Sequence, residues 1–122
     1  MRFFVLSYTR GPNWVEGQPV SNQPLRGHLA YLRDLYERSH LVMAGPFHDT
    51  PGGLAILQVA SPESALALAS ADPGVVGGIL NVAVTAWQPV VWRTLSAESI
   101  EFEQGSLTLV ASAPSVVGGV PE

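Results

Sequence analysis

The order of strand-like and helix-like segments is the feature that most constrains how this chain can fold. Short runs rich in β-branched and aromatic residues predict strands at 3–9, 41–45, 54–60 and 79–87. An apolar stripe with helical spacing predicts a helix over 25–38, and Ser61 followed by Pro62 predicts a second helix that runs to about residue 71, where Pro73 stops it. The order β-α-β-β-α-β is that of a ferredoxin-like α+β fold, the split β-α-β arrangement.

The segment from Pro73 to Trp92 carries no charged side chain over twenty positions, which is about the length of a membrane-spanning helix. Glycine, asparagine and proline interrupt it, and its centre, "ILNVAVTAW", is short and β-branched like a strand. We therefore expect no membrane span, and a strand that is buried on both faces or lies at a subunit interface.

Composition excludes several classes of function. The chain of 122 residues suits one domain, and its net charge of -4, with six basic residues that are all arginine, argues against a nucleic-acid surface. Cysteine is absent, which excludes disulfides and thiolate chemistry and suits a reducing, cytoplasmic location. The opening "MRFFVLSYTRG" lacks the pattern of a signal peptide.

The predicted topology brings the candidate site residues from four segments to one edge of the sheet. These are Tyr8 and Arg10 at the end of the first strand, His28 at the start of the first helix, Phe47 and Asp49 in the loop 45–53, and Asp72 at the end of the second helix. The loop, which includes "GPFHDTPGG", is first of all a connection between two strands.

His28 lies within the apolar arc of the first predicted helix and therefore faces the sheet. One interpretation is a buried histidine that a backbone carbonyl satisfies, and the other is a general acid or base at the mouth of a pocket.

Asp72 continues the inward stripe of the second helix, at the negative end of the helix dipole, although Asp-Pro is also an ordinary helix stop. Asp49 is a competing partner for His28, and a simple turn also explains it. Which aspartate partners His28 stays open at this point.

Three passages in order carry a resemblance: "RGHLAYLRDLYERSHLVMAGPF", "ASPESALALASADPGVVGGI" and "VTAWQPVVW". Across residues 3–93 they resemble the YCII-related (YciI-like) family. Ser39 stands where the family's glycine is expected at the end of the first helix. The resemblance implies a homodimer that forms a barrel-like body through its sheets, and a histidine–aspartate pair in a cleft, here His28 and Asp72. It also implies lyase, isomerase or dehalogenase-like chemistry on a small aromatic or cyclic ring.

The mechanistic hypothesis is that Asp72 orients one ring nitrogen of His28 while the other nitrogen moves a proton on the ring substrate. Tyr8 and Arg10 would bind a developing oxyanion, and the loop 10–24 with Trp14 would form a lid or a pocket wall. The alternative is a catalytically silent dimer that binds a small ligand or assists a larger enzyme.

We expect no cofactor and no metal, because the three histidines lack ligand spacing with carboxylates. The domain is expected to cover 1–94. The extension 95–122, with a hairpin-like pattern around Gln104 and Gly105, is expected to pack on the domain or on a dimer partner.

Overall fold

The computed structural model describes residues 1–95 and shows a mixed α/β arrangement of four strands and three helices. The elements are β1 (Arg2–Arg10), α1 (Arg26–Glu37), β2 (Leu41–Pro46), β3 (Gly53–Val59), α2 (Pro62–Ser70), α3 (Pro73–Val76) and β4 (Leu80–Trp87), and a short 3-10 turn spans Val20–Asn22. Every predicted strand and helix is present, with ends that agree to within one residue. Ser61 caps α2 as predicted, since its hydroxyl accepts the Ser64 N–H at 3.1 Å.

The second helix ends before Pro73, as predicted, with Ser70 as its last residue. Pro73 is also the first residue of the additional short helix α3, which the sequence did not predict. Proline is well suited to this position, because the first turn of a helix has no intrahelical partner for its N–H groups.

The four strands form one antiparallel sheet in the order β2-β3-β1-β4. β3 lies between β1 and β2, and these two strands therefore run in the same direction without pairing. Tyr8 of β1 stands opposite Gly53 of β3 on one side and Val82 of β4 on the other. The register places Tyr8 and the ends of the 45–53 loop at the same edge of the sheet.

The pleat of the sheet separates a covered face from an open one. Alternate β1 residues are buried against the helices, whereas Phe3, Val5 and Ser7 are only partly buried. The hydrophobic core on the covered face comprises Phe4, Leu6, Tyr8, Trp14, Leu25, Leu32, Leu35, Leu41, Ala55, Leu57, Val59, Ala65, Ala69, Ile79 and Leu80.

The expectation that the last strand is buried on both faces is wrong for the single chain. Of β4 only Leu80 is buried, and Val82 and Val84 are half-buried while their neighbours are exposed. The physical reason is that β4 is an edge strand with one face turned away from the helices. The other expectation, a place at a subunit interface, stays a prediction.

Ser39 ends α1 in the conformation that glycine usually adopts. Its φ is +64°, in the left-handed region, and its N–H donates to Tyr36 O at 3.0 Å. The next N–H, of His40, donates to Leu35 O at 2.8 Å. These two bonds form a Schellman motif, so the cap geometry expected for the family is kept without its glycine.

The chain divides into two units, Met1–Gln88 and Pro89–Glu122. The first unit contains all the helices and strands named above, and 89–95 contain none. The expectations for the extension 95–122, including the hairpin around Gln104, concern residues that lie, apart from Leu95, outside the described part of the chain. Within residues 1–95, no helix is both long and apolar enough to cross a lipid bilayer.

Candidate functional site

A buried histidine–aspartate pair joins α1 to the start of α3. His28 Nδ1 lies 2.6 Å from Asp72 Oδ2, although the two residues are 44 positions apart in the sequence. The imidazole is 10% exposed and the carboxylate 1% exposed. This separation is typical of a short, charge-assisted hydrogen bond. Asp72, and not Asp49, is therefore the carboxylate that His28 contacts.

Both oxygens of the Asp72 carboxylate have partners. Oδ2 accepts from His28, and Oδ1 accepts the Gly74 N–H at 2.8 Å, which makes Asp72 the N-cap of α3. The expectation that Asp72 meets the negative end of the α2 dipole is thus corrected: the carboxylate caps the positive end of the next helix. Because both oxygens are engaged, the carboxylate has a fixed orientation towards the imidazole.

Since Asp72 accepts at Nδ1, Nε2 is the nitrogen of His28 that can exchange a proton with a ligand. Among residues 1–95 no hydrogen bond to Nε2 is present. A carboxylate that fixes one nitrogen and leaves the other available is the arrangement that general acid–base catalysis by histidine requires.

Tyr8 adds a third polar group beside the pair. Its ring meets the His28 ring edge-on, with 5.2 Å between centroids and an interplanar angle of 76°. The Tyr8 hydroxyl is buried, and among the described residues it makes no hydrogen bond of ordinary length and angle. Burial raises the pKa of this phenol above its ordinary value of 10.0, and the nearby Asp72 carboxylate raises the pKa further, through its charge and as a weak hydrogen-bond acceptor. The hydroxyl therefore stays protonated and remains a donor.

Tyr31 ties the two long helices together above the pair. Its hydroxyl, on α1, donates to the Leu68 carbonyl of α2 at 2.7 Å. Partial burial and then the Asp72 carboxylate raise the pKa of Tyr31. The hydrogen bond links α1, which carries His28, to α2, which ends two residues before Asp72.

The structure does not bring Arg10 and Trp14 to the imidazole. Trp14 is buried in the core, and the Arg10 guanidinium lies 5.8 Å from the centre of the indole ring. Neither residue forms a hydrogen bond or a ring contact with His28.

The loop 45–53 lies beside Tyr8 but does not reach the imidazole by a polar contact. The Phe47 N–H donates to Gly52 O at 3.0 Å, and a Cβ on Gly52 would stand 2.2 Å from Tyr8 O. Gly52 has a φ of +103°, so only glycine fits this approach. Phe47 and Asp49 are exposed, and Asp49 has no ion pair or hydrogen bond within residues 1–95.

Gln23 is a functional candidate that sequence reasoning missed. It is buried, and its amide accepts the Val15 N–H at 2.8 Å and donates to Val15 O at 2.9 Å and Gln18 O at 3.0 Å. The backbone of Gly11 and Asn13 also bonds to Ile79 and Gly78. These hydrogen bonds hold the loop 10–24 to itself and to the residues just before β4. A glutamine among turn formers gives no sequence signal for such a clamp.

Within residues 1–95, no cluster of three or more histidine and acidic side chains has the arrangement to hold a metal ion. The imidazole of His28, the carboxylate of Asp72 and the phenol of Tyr8 are the side chains that meet at the site.

The chain has a four-stranded antiparallel sheet covered on one face by helices, and a histidine–aspartate pair is buried where α1 meets the start of α3. These features define a class of small α/β domain with a polar site under its helices. The model of the YCII-related domain family matches residues 1–88, so this chain belongs to the YCII-related family.

Two known proteins are similar to this chain. Uncharacterized protein YjpA of Bacillus subtilis (strain 168) is 31% identical over 71 residues, which is 58% of this chain and 84% of YjpA. The 5-chloro-2-hydroxyhydroquinone dehydrochlorinase TftG of Burkholderia phenoliruptrix AC1100, solved with 2,5-dihydroxybenzoquinone, has a TM-score of 0.52 and 22% sequence identity. That match covers 70% of this chain and 93% of TftG, and it shows a shared fold.

Proposed function

We propose that this protein is a cofactor-independent enzyme that moves a proton on a small oxygenated ring, in a lyase, isomerase or dehalogenase-like reaction. The observation that carries the proposal is the 2.6 Å contact between His28 Nδ1 and Asp72 Oδ2, with both carboxylate oxygens engaged. The ligand of TftG, a dihydroxybenzoquinone, supports the choice of an oxygenated ring as the substrate class.

His28 is the general acid or base in this proposal. Asp72 accepts the Nδ1 proton and fixes the tautomer, so that the lone pair of Nε2 faces the ring and takes a proton from carbon or from a hydroxyl. The imidazolium that forms lies beside a carboxylate, which stabilises it. In an isomerisation Nε2 returns the proton to another atom of the ring. In a dehydrochlorination the electron pair left on the ring expels chloride as the C–Cl bond breaks, and Nε2 releases the proton to solvent.

Tyr8 donates to an oxygen of the ring as negative charge develops there. Its buried hydroxyl supports this role, because it makes no hydrogen bond of ordinary length and angle in the described chain, and a ligand oxygen would supply a well-placed acceptor beside Asp72. Arg10 is assigned a smaller part in binding the ring oxygen, since its guanidinium lies over the Trp14 ring. Trp14, Phe47 and Asp49 are assigned to the surrounding wall and loop.

The protein is proposed to have a ferredoxin-like fold and to act as a cytoplasmic homodimer that associates through the open face of the sheet. The strand order supports the fold, and the apolar character of the open face supports the dimer. Met43 and Trp87 on this face are 43% and 45% exposed. Sedimentation equilibrium of the wild type and of Ile56→Asp tests the dimer, which the substituted carboxylate is expected to dissociate.

The catalytic proposal is tested by comparing wild type with His28→Gln. Turnover is screened on small oxygenated rings, starting with chloride release from 5-chloro-2-hydroxyhydroquinone, and binding of 2,5-dihydroxybenzoquinone is measured by calorimetry. We expect His28→Gln to lower turnover by about 10²–10⁴-fold while the affinity changes little. Asp34→Asn, on the exposed side of α1, is the control and keeps full turnover.

Turnover that survives in His28→Gln would contradict the proposal. The alternative, a ligand-binding or accessory protein without catalysis, predicts binding of the quinone by wild type and by His28→Gln, with no turnover of any ring by either protein.

A further inference from the structure

The approach of α3 to α1 is unusually close, and two glycines make it possible. A Cβ on Gly74 would lie 3.1 Å from His28 Cβ, 3.2 Å from Leu25 Cδ2 and 3.3 Å from Asp72 Oδ1. Carbon atoms in ordinary contact stand about 3.5–4.0 Å apart. Any side chain at Gly74 would therefore press on both members of the histidine–aspartate pair.

The same seam is tight when approached from α1. A Cβ on Gly27 would lie 3.2 Å from Pro73 Cβ and 3.7 Å from Pro73 Cγ. Gly27 and Pro73 directly precede His28 and Gly74 in their helices. The two glycines thus face the opposite helix at adjacent positions, and together they set the distance between the two helices at the site.

We infer that Gly74 is a positioning residue whose missing side chain sets the short contact between His28 and Asp72. The backbone of Gly74 contributes as well, because its N–H donates to Asp72 Oδ1 at 2.8 Å and holds the carboxylate from the far side. One residue therefore anchors the carboxylate and leaves space for the imidazole.

The flexible end of Leu25 can move aside, but His28 Cβ cannot move without the backbone of α1. A methyl group at position 74 is therefore relieved chiefly by displacement of α3 away from α1, and Asp72 is displaced with it. A few tenths of an ångström are enough to lengthen a 2.6 Å hydrogen bond towards an ordinary one. The positioning role of Gly74 follows from the geometry alone, and only its consequence for catalysis rests on the proposed function.

The test compares Gly74→Ala with Gly77→Ala by NMR on ¹⁵N-labelled protein. Gly77 is the matched control, because its added carbon would meet only the carbonyl oxygen of Pro73, at 3.2 Å, and neither member of the pair. The readout is the resonance of the proton between Nδ1 and Oδ2, with Asp72→Asn as the reference for a broken pair.

We expect the bridging proton of Gly74→Ala to shift upfield or to exchange too fast to be seen. The bridging proton of Gly77→Ala should match that of wild type. A bridging proton unchanged in Gly74→Ala would overturn the inference.

If Gly74→Ala does not fold, Gly27→Ala decides, because it widens the same seam from the other helix. An upfield shift in that variant supports the inference, and an unchanged resonance overturns it. None of these readouts uses turnover. If His28→Gln keeps turnover while Gly74→Ala loses the bridging proton, the proposed function fails and the positioning role of Gly74 stands.

Discussion

Replacing Asp72 with alanine should destabilise the domain far more than any exposed aspartate would. The variant loses a hydrogen bond from His28 to a charged acceptor, which contributes about 1.5–3 kcal/mol in general. It also loses the cap of α3, which contributes about 1 kcal/mol. The sum of about 2.5–4 kcal/mol is a large fraction of the roughly 5–15 kcal/mol by which domains are typically stable.

The measurement is urea unfolding followed by circular dichroism. With a slope of about 1.5 kcal/mol per molar urea, the midpoint of Asp72→Ala should fall by about 2 M. Asp34→Ala is the matched control. Its carboxylate accepts from Arg38 at 3.1 Å on the surface of α1, where both side chains are more than half exposed. Such a pair contributes below about 0.5 kcal/mol, so this midpoint should barely move.

Equal midpoints for Asp72→Ala and Asp34→Ala would refute the reasoning, because they would mean that the buried contact contributes no more than a surface pair. The double variant His28→Ala and Asp72→Ala refines the result. If the two residues act through their contact, the combined loss is smaller than the sum of the single losses.

Three further predictions follow from particular residues. Ser39→Gly should raise the free energy of unfolding by about 1 kcal/mol, since the left-handed backbone at this position strains any residue with a Cβ; thermal unfolding measures it. Because burial raises the pKa of Tyr8, the native state keeps a proton that the unfolded chain releases near pH 10.0. The free energy of unfolding is therefore retained below that pH and falls as the pH rises above it. Urea midpoints measured at ~pH 9 and ~pH 11 test this. Gln23→Ala should speed amide hydrogen exchange at Val15 and its neighbours without changing the exchange of β1.

Each of these predictions has a control. Ser39→Ala keeps a Cβ and should not be stabilised, and a lower midpoint for Ser39→Gly would contradict the strain argument. Tyr8→Phe should lose less stability at high pH than wild type does. An equal loss in both proteins would mean that a group other than Tyr8 causes the loss. Asn22→Ala removes only an exposed hydrogen bond to Gln18, and exchange at Val15 should stay as in wild type.

Local patterns in the sequence were enough to predict every strand and helix except α3. The strand runs alternate or are β-branched, and Ser61 with Pro62 starts α2 as such a pair does elsewhere. α3 escaped prediction because four residues carry no period, and Asp-Pro indicates equally a helix that ends and one that begins.

The site was predicted only in part, because local patterns do not determine how elements distant in the chain pack against each other. The inward position of His28 follows from the helical period, and the topology brings Asp72 to the same end. The sequence could not choose between Asp72 and Asp49, because the choice depends on how far α3 approaches α1. It also assigned Arg10 to a developing oxyanion and Trp14 to a lid or pocket wall, and both assignments stay predictions. In the structure the exposed Arg10 guanidinium lies over the buried Trp14 ring.

The sequence by itself determined the class of fold, the covered face of the sheet and the residue types available for chemistry, because these depend on neighbours a few positions apart. Only the tertiary structure decided that Asp72 caps α3 while it contacts His28, that the Tyr8 hydroxyl is buried without a hydrogen bond of ordinary geometry in the described chain, and that Gly74 leaves space for the pair. These features change when the distance between elements far apart in the chain changes by a few tenths of an ångström. The packing of the whole domain sets such distances.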